Sequence, residues 1–268
     1  MASFSVVNNV ASANALSNLE STQVGLGKTL SRLSSGLRIN MSGDDAAGLA
    51  VANKYQSDVV IYQQGIRNAN NGLSSLQIKD GALGNVQSLL NRLGTLATQA
   101  ASGSTADAQR VTLDQEFQAV LAEIQRETTI AGTSTLSGFS VFVSTGTGTN
   151  GVVAGTISAV TTTTLGLNGL VLTGQAWAAT AAAAITTAVS NLGQVQGTIG
   201  TLENRLQFAI SLNQVQSTNV KAAESRIRDA NIAEEASNMS RLSILNQSGI
   251  ASLAQANNST QGVLSLLR

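Results

Sequence analysis

The chain has 268 residues, 15 of them basic and 15 acidic, and contains no Cys, His or Pro. Thiolate and imidazole metal sites, disulfides and Ser-His catalysis are thereby excluded. The balanced charge leaves no electrostatic footprint for nucleic acid or an acidic membrane.

The first basic residue is Lys28, and MASFSVVNNVASANA has neither a charged start nor a continuous apolar core, so no classical secretory signal peptide is expected. Leu19, Leu26, Leu30, Leu33 and Leu37 step by seven, four, three and four, which predicts one helical stripe. Gly25 and Gly27 lie inside that stripe rather than between a strand and a helix, an argument against a nucleotide-binding loop. Asp44 and Asp45 follow Ser42-Gly43 and open the next helix, where carboxylates stabilise the positive end of the helix dipole.

From Asp44 to about Ala101 a second stripe runs through Leu73, Leu76, Leu83, Val86, Leu90, Leu93 and Ala97. At 1.5 Å per residue such a helix is roughly 85 Å long, and the absence of proline permits it. SGSTAD, residues 102–107, carries turn and capping chemistry, after which Leu113, Phe117, Leu121 and Ile124 resume a helix, predicting an antiparallel hairpin. Residues 128–202 contain no charge; within them, Gly138 to Thr173 alternates apolar residues with Ser, Thr and Gly and reads as a small β module. Leu165 to Val189 is uncharged too, but Asn168, Gln175 and several Gly and Thr break it, so a membrane span is not expected.

The cleanest heptad follows: Ile185, Ala188, Leu192, Val195, Ile199, Leu202 and Leu206, continued by Ile210, Asn213, Ser217, Val220, Glu224 and Ile227. Glu234-Glu235 admit the same dipole reading as Asp44-Asp45, with a salt contact to a neighbouring subunit as the functional option. A last seam runs through Leu242, Leu245, Gly249, Leu253, Ala256, Thr260, Val263 and Leu267 at steps of three and four. Both terminal segments are too poor in apolar bulk to offset the ordering entropy of an isolated helix, so they are expected to order only against other helices.

Three stretches carry a resemblance: LSRLSSGLRINMSGDDAAGLAVANK (residues 30–54), GIRNANNGLSSLQIKDGALGNVQSLLNRL (65–93) and SRIRDANIAEEASNMSRLSILNQSGIASLAQANNSTQGVLSLLR (225–268). They resemble bacterial flagellin, in the right order at the right ends, over about residues 1–130 and 185–268. The resemblance implies a mainly α fold: a long helical coiled-coil rod with paired terminal helices and a small β-hairpin module in the middle. It places 1–42 with 232–268 in an inner tube, 43–130 with 181–231 in the rod, and 131–180 in a small β-rich outer module. This is a minimal version, without the large outer domains of many flagellins.

Resemblance to flagellin implies a non-enzymatic, self-assembling subunit of a helical filament, exported to the cell exterior without a cleaved signal peptide and needing no cofactor. The assembly interface is expected at Leu19, Leu26, Leu30, Leu33, Leu37, Leu242, Leu245, Leu253, Val263, Leu264 and Leu267. Implied partners are further copies of the chain, an export chaperone for the C-terminal segment, a filament cap and hook-junction proteins. A Toll-like receptor is a further partner by resemblance, at Arg92, Leu96 and Glu116, although Gly94 and Thr95 stand where many flagellins have Arg-Glu. An uncharged outer surface needs another source of solubility, so Thr161, Thr162, Thr163 and Thr164 are candidates for O-linked sugar. Two alternatives stay open at this point, a hook-filament junction protein and a non-polymerising surface coiled-coil adhesin or immune ligand. LAQAN at 253–257 and VLSLLR at 263–268 favour flagellin proper, and no wall or membrane anchor is visible for an adhesin.

Overall fold

The structure, a computed structural model, describes residues 8–134, 137–146 and 151–266. Helices α1 (Val10–Ser35), α2 (Ala46–Ala101) and α3 (Asp107–Ile130) precede strands β1 (Ser137–Phe142) and β2 (Val152–Ile157), and helices α4 (Gln175–Arg228) and α5 (Ile232–Leu266) follow. The mainly helical class with one small sheet is as expected. The chain divides into two compact units, Met1–Ser57 with Asn219–Arg268, and Asp58–Thr218.

In the first unit α1 and α5 pair antiparallel. Asn9 Nδ2 donates to the Ala256 carbonyl at 3.0 Å, Gly25 packs against Leu242, and Arg32 meets Glu235 at 3.3 Å, so rising numbers on one helix meet falling numbers on the other. Asn9 caps α1 through the Ser12 N–H. The helix ends where Gly36 takes φ 72°, a left-handed conformation that costs glycine nothing, while its N–H still closes on the Arg32 carbonyl. Leu37 is therefore beyond the helix and not on its stripe: it forms a bridge with Asp229. Arg38 N–H donates to Arg228 O at 2.6 Å and Ala230 N–H to Gly36 O at 2.9 Å, which ties the exit of α1 to the exit of α4.

The two aspartates at the start of α2 have separate tasks. Asp45 Oδ1 accepts from the Gly48 N–H at 2.9 Å and caps the helix. Asp44 instead turns back to accept from the backbone N–H groups of Asn40 and Met41 at 3.2 and 3.3 Å. Those bonds favour the ionised form, so its carboxyl is held below the ordinary carboxylate range. A depressed folded pKa means that the stabilisation is present above the unfolded value and is lost as pH falls through the folded one. Asp44→Asn is expected to lower the melting temperature at neutral pH, change it little at low pH, and so flatten the acid side of the profile.

In the second unit the heptad of α4 lies inward as its spacing predicts: Ile185, Ala188, Leu192, Ile199, Leu202 and Leu206 are all buried, with Val195 and Ile210 packed against them. They meet Leu76, Leu83, Val86, Leu90, Leu93 and Ala97 of α2 and Phe117, Leu121 and Ile124 of α3 in one core. The expected α2–α3 hairpin is present. Asn85 bonds Glu127, Arg92 pairs with Glu116, and Arg110 Nε donates to Ala100 O at 2.9 Å. The expected β module is shorter than Gly138 to Thr173. Only β1 and β2 form an antiparallel ladder, Ser137 opposite Ile157 and Phe142 opposite Val152. Residues 158–173 are turns that press Val160, Leu165, Leu167 and Leu172 into the core.

Candidate assembly surface

The inner seam of the first unit is built from small residues as much as from leucines. The seam passes through half-buried or buried Ser12, Ala15, Leu19, Thr22, Leu26, Thr29 and Leu33 on α1 and Glu235, Met239, Leu242, Asn246, Gly249, Leu253 and Ala256 on α5, with Gly25, Ser31, Arg32, Asn238 and Ser243 half-buried beside it. Both rows run at alternating three and four. A leucine on one helix sits against a glycine on the other: Leu19 reaches the Cβ position of Gly249 at 3.2 Å, and Leu242 that of Gly25 at 3.4 Å. The helices thus come close without large side chains between them.

Five expected interface residues, Leu19, Leu26, Leu33, Leu242 and Leu253, are in this seam. Leu30 and Leu245 are not: they are 52% and 49% exposed. Leu30 stands about 100° round the helix from buried Thr29, and Leu245 equally far from Asn246, the residue that takes the seam position. Leu267 lies outside the described residues, as do the side chains of Val263 and Leu264.

The Glu235 carboxylate, buried in the first turn of α5, pairs with Arg32 of the same chain. With Asn9 and Ser12 bonding Ala256 and Asn257 at the other end, polar pins fix the register of a seam whose small residues tolerate sliding. Replacing Arg32 by Leu leaves a buried carboxylate without its cation, a loss of about 1–3 kcal/mol for the first unit. Urea unfolding of Arg32→Leu, Glu235→Leu and the double variant should show coupling between the two sites.

Large apolar residues also cover the outside of the pair, which the leucine spacing alone does not disclose. Val10, Leu16, Val24 and Leu30 on α1 and Ile244, Leu245 and Ile250 on α5 are exposed, Ile244 by 66%. The helical pair is thus apolar outside as well as inside. In the second unit Phe208, Leu212 and Val215 form an exposed stripe on α4, spaced four and three, with Phe208 76% exposed.

Of the residues placed at a receptor contact, Arg92 and Glu116 are partly exposed and paired with each other. Leu96 is 1% exposed and belongs to the core, so it presents no side chain to a partner. The four threonines also differ. Thr161 and Thr164 close on one another, Thr164 Oγ1 donating to Ala159 O at 2.9 Å, and Thr162 bonds Gln125 at 3.2 Å; Thr163 and Thr164 are both exposed. Among the described residues no helix is long and apolar enough to cross a membrane, and no cluster of three or more Asp, Glu, His or Cys forms a metal site.

Comparison with known proteins draws the two ends together. The family described as "bacterial flagellin N-terminal helical region" matches residues 6–141, and that of the "bacterial flagellin C-terminal helical region" matches residues 182–267. The chain is 36% identical over 251 residues to a flagellin of Halalkalibacterium halodurans, covering 90% of this chain and 91% of the relative. It is 32% identical over 284 residues to Flagellin FlaB1 of Treponema pallidum, covering 97% and 98%. With the flagellin of Bacillus subtilis it shares 30% identity over 299 residues, again 97% and 98% of the two chains.

Proposed function

The chain belongs to the bacterial flagellin family and is a structural subunit of the flagellar filament; from that premise we propose that the outward apolar residues of α1 and α5 join copies of it into the polymer. The observation that carries this reading is the exposed set Val10, Val24, Leu30, Ile244 and Ile250 on a pair whose inner seam is already filled. One copy leaves that surface wet. A neighbour that covers it gains about 1.5–3 kcal/mol for each large side chain fully buried, and the gain recurs at every subunit. A heterologous contact that does not close on itself generates a helix.

Ordering and assembly are coupled in this scheme. The α1–α5 seam contains few large residues, so the terminal helices gain most of their stability in the polymer, which keeps monomers from polymerising early. The inner tube is assigned to 1–42 and 232–268, the rod to 43–130 and 181–231, and the outer module to 131–180. Export to the cell exterior proceeds without cleavage of a signal peptide, with an export chaperone, filament cap and hook-junction proteins as partners. The stripe of Phe208, Leu212 and Val215 supplies a second contact between copies.

Hydrogen exchange tests the coupling. Backbone amides of α1 and α5 should exchange rapidly in dilute monomer and become protected in filaments, while those around Leu192 and Leu202 change little. Equal protection of α1 and α5 in the two states refutes it.

Two further readings rest on the second unit. Arg92 and Glu116 remain as Toll-like receptor contacts without Leu96, and with Gly94 and Thr95 supplying no charge the response of reporter cells should be weaker than to a flagellin with Arg-Glu there. O-linked sugar, if added before export, falls on Thr163, because its three neighbours spend their hydroxyls on internal hydrogen bonds. An intact mass equal to the bare sequence rejects it.

A further inference from the structure

The sequence contains three Asn-Gly pairs, at 71–72, 150–151 and 168–169. Asn150 lies outside the described residues. The other two occupy opposite environments. Asn71-Gly72 is in the interior of α2, with Gly72 buried against Val141 and Leu206. Its backbone nitrogen is committed to the helix, and helical dihedrals hold it away from the preceding side chain. Asn168-Gly169 is exposed in the turns between β2 and α4; Gly169 has φ 75°, and nothing lies within 4 Å of where a Cβ would stand. Among the described residues the Gly169 N–H donates no hydrogen bond.

We infer that Asn168 is a site of spontaneous conversion to aspartate and isoaspartate, a covalent change that places a negative charge in the uncharged stretch 128–202. The chemistry needs only water. Gly169 N loses its proton to solvent base and attacks Cγ of Asn168, forming a five-membered imide; the Cγ–Nδ2 bond breaks and nitrogen departs as ammonia. Glycine is the most permissive successor, because no side chain hinders the attack. Water then opens either carbonyl–nitrogen bond of the ring. Cleavage at Cγ gives aspartate, and cleavage at the main-chain carbonyl gives isoaspartate, with one extra methylene in the backbone.

The flanks decide what the change does. Leu167 and Leu172 are fully buried on either side, Leu172 N–H donates to Asp114 at 2.7 Å, and Gln118 donates to Leu170 O at 2.8 Å. Aspartate leaves this turn in place and alters only the charge. Isoaspartate lengthens the backbone between two buried anchors and loosens the Asp114 and Gln118 bonds. A long-lived polymer therefore accumulates charge and local disorder here with age, and the inference holds whether or not α1 and α5 make the contacts proposed above.

The test is peptide mapping by mass spectrometry after incubation of the full-length folded protein at mildly alkaline pH, with isoaspartate counted by enzymatic methyl transfer. Asn168 should deamidate several-fold faster than Asn71 in the folded chain, and the two should converge in denaturant. Asn168→Ser should remove the methyl-acceptor signal from this peptide. Gly169→Ala should slow the loss of ammonia, and its circular dichroism shows whether the turn survives. Retention of the Asn168 amide in folded protein, or equal rates at both sites before denaturation, overturns the inference.

Discussion

Ile244→Glu and Ile250→Glu are expected to abolish filament growth while leaving the monomer folded. Both residues are more than half exposed on α5, so the monomer loses little packing, and glutamate is at least as good a helix former as isoleucine. In a polymer that covers this face, each substitution forfeits about 1.5–3 kcal/mol of apolar burial. It adds the cost of a carboxylate taken out of water without a cation. With a tenfold change in association for every 1.4 kcal/mol, the critical concentration should rise by at least two orders of magnitude. Sedimentation and electron microscopy measure that, and unchanged circular dichroism excludes unfolding. Filaments from either variant at the parent concentration place the interface elsewhere. Leu253→Ala distinguishes the faces, because it cuts the inner seam and should lower monomer stability first.

How much of this was legible beforehand depended on how much of the periodicity was carried by large residues. In α4, Ile185, Leu192, Ile199, Leu202 and Leu206 hold a strict spacing over many turns, and all are buried. The stripe of α2 held for the same reason, through Leu76, Leu83, Val86, Leu90 and Leu93. The terminal helices were harder. Their seam is centred on Thr22, Thr29, Asn246 and Gly249, so a reading that follows leucines drifts by one position to Leu30 and Leu245. Counting leucines also ran the first helix through Gly36 to Leu37, past a residue whose left-handed backbone ends it. Leu96 shows the opposite difficulty: a residue matched to a surface role by motif sits against the core, and only its neighbours in α2 and α3 reveal that. The outer face of α5 did have a signal at Ile244, which lies two residues past Leu242 and nine before Leu253, off any seam of three and four steps through both.

Glycine in the helices of the second unit provides a pair of opposite expectations. An exposed glycine inside a helix costs about 1 kcal/mol relative to alanine. At Gly81 a Cβ meets nothing within 4 Å, so Gly81→Ala should stabilise by about that amount and raise the melting temperature by roughly 2–4 °C. At Gly65 the same propensity gain of about 1 kcal/mol is available, but the added carbon falls 2.1 Å from the carbonyl oxygen of Val143. That oxygen belongs to backbone, so it has no rotamer to escape into. It is also the acceptor of buried Asn213, and Asn68 Nδ2 bonds the neighbouring Phe142 carbonyl at 3.1 Å, so this is where the strand pair is fastened to α2 and α4. Overpacking costs about 1–3 kcal/mol, and stranding the Asn213 amide about as much again. The steric and polar losses exceed the propensity gain, and Gly65→Ala should destabilise by roughly 2 kcal/mol or more. The loss should show first as faster amide exchange in the β1–β2 ladder, because the helix itself remains a good helix. A Gly65→Ala variant as stable as Gly81→Ala requires that the strands dock on the helices by some other contact.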